Sequence, residues 1–424
     1  MRRFVCSLCV LLLFNFMTLA QEPNWNQWRG PNSTNHSFST GIANSWGPEG
    51  PKLLWKVNTV GNGYSSISFY GETMFTMGDL DNQCYVFALD RNTGKEIWRF
   101  HIGKGGDGGE ALGRGYPGTL ATPACDGETV YAVSQFGEFV ALDMKDGSVR
   151  WRKNTQDDFG GKKMSMWGYS QSPIIDGDKI VLPIGGEGGV LAAFSKSGEL
   201  LWRSAELKDS ATHTSIVPVE IAGVRQYLLL TGGNSGVRLS LFGGCKLAGI
   251  SPTDGKVLWQ LPFPGRIAVC SDPVLCGDVV MASAAYGAGA HFYRITKEGN
   301  EFKAEKFHND ASLVAQHGGL VAVGDHFYLL TERNLACVEA KTGKIVWENR
   351  SVGKGSLTYV DGKLIVRSER GPIALVEATP EGYKELGRFL PVDCSEQNTW
   401  AYPVVVDKKL YIRDQNVLLC YDLN

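Results

Sequence analysis

A glycine followed four residues later by a tryptophan returns five times along the chain: Gly94–Trp98, Gly147–Trp151, Gly198–Trp202, Gly255–Trp259 and Gly343–Trp347. The glycines are separated by 53, 51, 57 and 88 residues. Gly299 divides the last interval into 44 and 44, with Lys303 in the tryptophan place. A seventh copy has Gly382, with Leu386 in that place. A repeat of this period restricts the chain to a propeller or a solenoid. Short runs such as "VFAL", "VYAV", "KIVL" and "FYLL" are rich in β-branched and aromatic residues and are bounded by Gly, Asp and Asn, which makes them strands. They are continuously apolar, as strands covered on both faces are. "RNTG", "MKDG" and "KTG" read as hairpin turns in which glycine takes a positive φ. "CDGET", "IDGDK" and "VDGKL" supply a second turn in each unit, so each unit holds about four strands, the size of a propeller blade.

Seven glycine copies account for seven blades. An eighth is split across the termini: "VLLCYDLN" ends the chain without a tryptophan strand, and "PKLLWKVN" around Trp55 is a tryptophan strand without a predecessor. Pairing them closes the ring and hides its sheet edges. The expected fold is an all-β, eight-bladed propeller of four-stranded antiparallel blades over residues 51–424, at about 47 residues per blade. Seven blades is the alternative count.

Arg2 and Arg3 lead an apolar run, and Thr18-Leu19-Ala20 gives small residues before Gln21, so residues 1–20 read as a secretory signal peptide. Residues 21–50 then form an N-terminal extension. The mature chain is expected to be periplasmic or secreted, monomeric and without a membrane span. A net charge of -2 argues against a nucleic-acid partner. Outside the signal the cysteines are Cys84, Cys125, Cys245, Cys270, Cys276, Cys337, Cys394 and Cys420, with no metal-type spacing and no adjacent pair. Cys337 and Cys420 fall within apolar strands and are expected as buried thiols. Cys270 with Cys276 is the one candidate disulfide. Asp79, Asp81, Asp157 and Asp158 are expected in solvated turns.

The connections that lead from each tryptophan strand to the next blade's innermost strand carry unusual residues, and they are expected to meet at one mouth of the central channel. They bring Tyr64, Arg114, Tyr116, Trp167, Tyr169, Gln171, His213, Arg266, Gln316, His317, Trp400 and Tyr402. Aromatic rings, Arg and His converging on one axis suit a polar, planar or anionic small ligand; the alternative is that the aromatics plug the channel. No metal-ligating set is assigned, since two His without positioned carboxylates do not make one.

The copies, with Ala88, Gly94 and Trp98 as the first example, resemble the PQQ-type propeller repeat. The opening "WNQWRGPNSTNHS", with "GYSS" and "WGYSQSP", is similar to exported bacterial PQQ-binding-like propeller proteins. The resemblance implies that each tryptophan packs onto a neighbouring blade. It also brings two functional expectations. Quinoprotein alcohol dehydrogenases hold pyrroloquinoline quinone (PQQ) and Ca²⁺ on such an axis, with a disulfide of adjacent cysteines against the quinone and an Asp base. The propeller subunit of the outer-membrane β-barrel assembly machinery is instead a protein-binding scaffold. The missing adjacent cysteines favour a binding module for a protein partner or small ligand, so no catalytic residue is assigned, and the PQQ- and Ca-dependent dehydrogenase is the alternative.

Overall fold

A computed structural model describes residues 25–106, 118–233 and 244–424. The segment assigned to the signal peptide lies outside them, as do Arg114 and Tyr116.

Eight sheets surround a central axis, and each contributes four antiparallel strands. Blade 1 holds Ser68–Tyr70, Thr73–Leu80, Gln83–Asp90 and Glu96–Lys104, running from the axis outward. Blades 2 to 7 repeat this order, with inner strands Ala124–Cys125, Ile174–Asp176, Val217–Ile221, Val274–Cys276, Leu320–Val323 and Gly355–Val360. Blade 8 takes Val404–Val406, Lys409–Asp414 and Val417–Asp422 from the C-terminus and Lys52–Val57 from near the N-terminus. The closing pair runs antiparallel, with Leu53 opposite Tyr421 and Trp55 opposite Cys420. The eight-bladed count and the closure both follow the sequence reading.

The repeated glycine and tryptophan are two halves of one joint. At four joints the tryptophan of one blade lies against the glycine of the next. A Cβ built on Gly147 would stand 2.8 Å from the Trp98 ring, and one on Gly94 would stand 2.8 Å from the Trp55 ring. Gly198 faces Trp151, and Gly255 faces Trp202, in the same way. The indole N–H then donates to a carbonyl of the neighbour's turn: Trp98 to Met144 (2.9 Å), Trp151 to Lys196 (2.8 Å) and Trp347 to Thr379 (2.9 Å). Across its own blade each tryptophan faces a small residue: Ala88, Ala141, Ala193, Gly249, Cys337 or Cys420. The last two are therefore cysteines in the alanine slot of the repeat, buried because the slot is buried.

One copy departs from the expected form. Lys303 does not occupy the tryptophan place of blade 5, because Glu301–Asp310 is a long hairpin partner of Gly289–Glu298, and Gly343 is instead met by the His308 and Phe292 rings. All eight described cysteines are free thiols, which corrects the Cys270–Cys276 candidate, and the Cys276 thiol donates to the Gly324 carbonyl at 3.2 Å. At Gly147, φ is +74°, so alanine there meets both backbone strain and the indole. Gly147→Ala is expected to cost on the order of 2 kcal/mol in urea denaturation, through displacement of Trp98.

Residues 25–37 do not trail from the ring; they run through it. The Trp25 carbonyl accepts from Phe69 N–H in blade 1, and the Asn26 carbonyl accepts from Cys125 N–H in blade 2. The Gln27 side chain accepts from Ile175 N–H in blade 3 (2.9 Å). Arg29 reaches Asp272, which leads into blade 5, and the Leu320 carbonyl in blade 6. His36–Ser37 then adds a parallel strand inside blade 7, and Ser37 donates to Val405 in blade 8. Trp25, Arg29, Ser33 and Asn35 are all buried.

Candidate functional site

The connections before the inner strands meet at one end of the channel and enclose a cavity of about 160 Å³. Tyr64, Trp167, His213, Gln316, His317, Trp400 and Tyr402 line it together. The other expected residues among those described lie elsewhere. Tyr169 points into the packing between blades 2 and 3, where its hydroxyl donates to the Ile184 carbonyl (3.1 Å). Gln171 is buried behind the wall, with its side-chain oxygen accepting from Ser170 N–H. Arg266 lies outside the lining and donates to the carbonyl of Tyr286, which does line it.

One wall is a stack of rings. His317 lies on Trp400 at 4.0 Å and 13°, and Trp400 lies on Tyr64 at 4.6 Å and 28°. The Trp400 indole N–H donates to Glu369 (3.0 Å), which fixes the rotation of the middle ring. The floor is Trp28, edge-on to Tyr402 at 4.7 Å. Two buried arginines hold the loops that carry these rings. Arg413 donates to the carbonyls of Gly61, Ser65 and Met77, fixing the turn before and after Tyr64, and Arg367 donates to the Ala401 carbonyl between Trp400 and Tyr402. Burial pulls the Arg413 guanidinium down to about 9.

The key residue that the sequence reading missed is Asp272. Its signal is a series of small polar residues placed just ahead of successive inner strands: Ser66, Thr122, Ser172, Ser215 and Asp272. Each passes a bond to the next. Ser66 N–H donates to Thr122 Oγ1 (3.0 Å), Thr122 N–H to Ser172 Oγ (2.9 Å), Ser172 N–H to Ser215 Oγ (2.9 Å) and Ser215 N–H to Asp272 Oδ1 (2.8 Å). Asp272 is the acidic end of this belt. Its Oδ2 accepts from the Trp28 indole (2.7 Å) and from Arg29 (3.5 Å).

The histidines of the cavity are held neutral. Burial, then Lys163, lowers His213 to about 4, and both its nitrogens are engaged, by Ser165 Oγ (2.6 Å) and Ser170 Oγ (2.8 Å). Burial, then Lys354 and His213, lowers His317 to about 3. At the far side of the N-terminal segment, burial and Arg29 lower His36 to about 4. Asp79, expected in a solvated turn, is instead buried and raised to about 6. A neutral buried histidine stabilises the fold fully above its unfolded pKa of about 6.5, and that contribution is lost as pH falls through its folded value. Asp79 has the opposite sign and returns stability as pH falls from about 6 toward 3.8. The imidazole C2–H resonances of His36, His213 and His317 are therefore expected to keep their neutral positions down to about pH 5 in an NMR titration.

Ca²⁺ with PQQ does not fit this donor set. Asp272 is the sole carboxylate in the described lining, and its oxygens are taken by Trp28, Arg29 and Ser215. Among the described residues no three His, Cys, Asp or Glu side chains gather in a form that suits a metal ion. Ca²⁺ takes 6–8 oxygen ligands, and the wall here is made of rings and hydroxyls.

A family model of PQQ-type repeats, described as outer membrane protein assembly factor BamB, matches residues 83–348 and again 311–380. The chain belongs to that family. No curated protein matches it significantly. Among solved structures, it is similar to quinohemoprotein alcohol dehydrogenase from Comamonas testosteroni, with 13% identity over 94% of this chain and 80% of that one and a TM-score of 0.65. It is similar to BamB from Moraxella catarrhalis, with 13% identity over 87% of this chain and 97% of that one and a TM-score of 0.56. A europium-containing methanol dehydrogenase shares 12% identity over 93% of this chain and 89% of that one, with a TM-score of 0.61. At these identities the likeness is one of fold, and it includes both enzymes and an assembly factor. No helix among the described residues is long and apolar enough to cross a membrane.

Proposed function

We propose that the chain is an exported binding propeller whose channel mouth receives a small polar ligand, or a side chain presented by a protein partner, without chemistry of its own. The observation that carries this reading is the mouth cavity itself: an aromatic wall of His317, Trp400 and Tyr64 beside hydroxyls, with its one described carboxylate already engaged. Flat rings bind planar or C–H-rich faces, and the surrounding Ser, Gln and His groups orient them. The assembly-factor description of the family supports a protein partner. The dehydrogenase likeness supports PQQ as the alternative occupant, against a donor set that lacks what Ca²⁺ requires.

Two measurements test it. The purified protein, mixed with PQQ, Ca²⁺, a panel of alcohols and an electron-accepting dye, is expected to give no turnover and no quinone-dependent gain in heat stability. Quinone-dependent turnover overturns the reading. In an NMR screen of small polar compounds, binders are expected to move the indole N–H signals of Trp167 and Trp400, and Trp400→Ala is expected to weaken such binding at least about tenfold through loss of a stacking face.

A further inference from the structure

The N-terminal segment divides the channel. Trp28 forms the floor of the mouth cavity, while its neighbour Arg29 lines a second cavity of about 250 Å³ on the other side. The inner strands show that the two lie at successive levels along the channel. Ser215 lines the first and Val217–Val219 the second, and Asp272 lines the first and Val274 the second. The second chamber is polar on one side, with Arg29, Ser33 and His36, and apolar on the other, with Val219, Val274 and Ala322.

Its polar side is under-used. Arg29 is 2% exposed and Ser33 is fully buried, yet among the described residues Arg29 Nε and Ser33 Oγ have no hydrogen-bond partner. Buried donors left unpaired are costly, and two of them on residues that line one cavity mark a place built to be completed by something else. The remaining guanidinium nitrogens are used on the protein, Nη2 on the Leu320 carbonyl (2.7 Å) and Nη1 on Asp272 at the long distance of 3.5 Å. The third polar group, His36, is uncharged at neutral pH and rests against Tyr359 at 4.7 Å.

We infer that this chamber is a second ligand site, separate from the mouth, for a small monocarboxylate with a short aliphatic body. The carboxylate accepts from Arg29 Nε and Ser33 Oγ, and the hydrocarbon packs on Val219, Val274 and Ala322. The inference is independent of what occupies the mouth, because Trp28, Arg29 and Asp272 close the path between the two.

Calorimetry on the whole protein with hexanoate and butyrate, and with 1-hexanol and hexanamide as uncharged controls, tests it. Hexanoate is expected to bind saturably and at least about tenfold tighter than 1-hexanol, through the charge-assisted bonds. Ser33→Ala is expected to weaken hexanoate about five- to tenfold with an unchanged melting temperature, because the hydroxyl bonds to nothing among the described residues. Ala322→Phe fills the chamber and is expected to abolish binding, while Trp400→Ala at the mouth leaves it intact. Should Ala322→Phe fail to fold, Ser33→Ala still decides. The site is overturned by absence of saturable carboxylate binding, which leaves a water-filled cavity, by equal binding of the alcohol, by binding indifferent to Ser33→Ala, or by binding lost in Trp400→Ala.

Discussion

Deleting Val417–Asn424 is expected to leave no folded protein. The strand Val417–Asp422 lies inside blade 8, between Lys409–Asp414 and Lys52–Val57. Its Leu418, Leu419 and Tyr421 side chains, with Leu423 just beyond, are almost fully buried. At about 2 kcal/mol for each such side chain, their loss alone approaches 8 kcal/mol, comparable with the net stability of most domains. Lys52–Val57 also loses the partner that ties it to blade 8, so Trp55 leaves its seat on Gly94. The truncated chain is expected to lose its β-sheet circular dichroism and to elute as aggregate. A sharp melting transition with the retention volume of the whole chain would show that the ring does not depend on this closure.

Asp272→Ala is expected to lower the unfolding free energy by about 3–5 kcal/mol, measured by urea denaturation at pH 7. Arg29 and Asp272 are side chains exposed by only 1% and 4%, and removing one partner leaves a buried guanidinium with no countercharge. The same change removes the acceptors of the Trp28 indole and of Ser215 N–H. Asp272→Asn keeps the shape and one acceptor, so its cost is expected to be clearly smaller. Equal costs for the two variants would mean that the lost charge carries the whole penalty and that the retained shape and acceptor contribute nothing.

The ring was legible in the sequence because its joints are local and repeated. Glycine, tryptophan and the small residue opposite recur at near-constant spacing, and a single rule at Gly94, Gly147, Gly198 and Gly255 serves four interfaces. The convergence of Tyr64, Trp167, His213, His317 and Trp400 was legible for the same reason: equivalent loops of a ring must meet. What escaped was each feature that occurs once. Trp28 and Arg29 find Asp272 across more than 240 residues, and no periodicity points to such a pair. Tyr169 and Gln171 sit in the right loop, but the chain there turns them toward the inter-blade packing, a rotation that spacing alone does not encode. Blade 5 misled through its long hairpin, which moved the ring contact from Lys303 to His308.

The segment from Trp25 to Ser37 also constrains the order in which the molecule assembles. It is the first described stretch to be synthesised, yet its bonding partners run around the circle from Phe69 to Val405, the last of them 368 residues downstream of Ser37. Until the ribosome has delivered that final strand, the segment has only part of its berth, and a nascent propeller stands open from end to end. Completion of synthesis is thus what lets the leading end settle, and with it the partition that gives the finished protein two separate compartments.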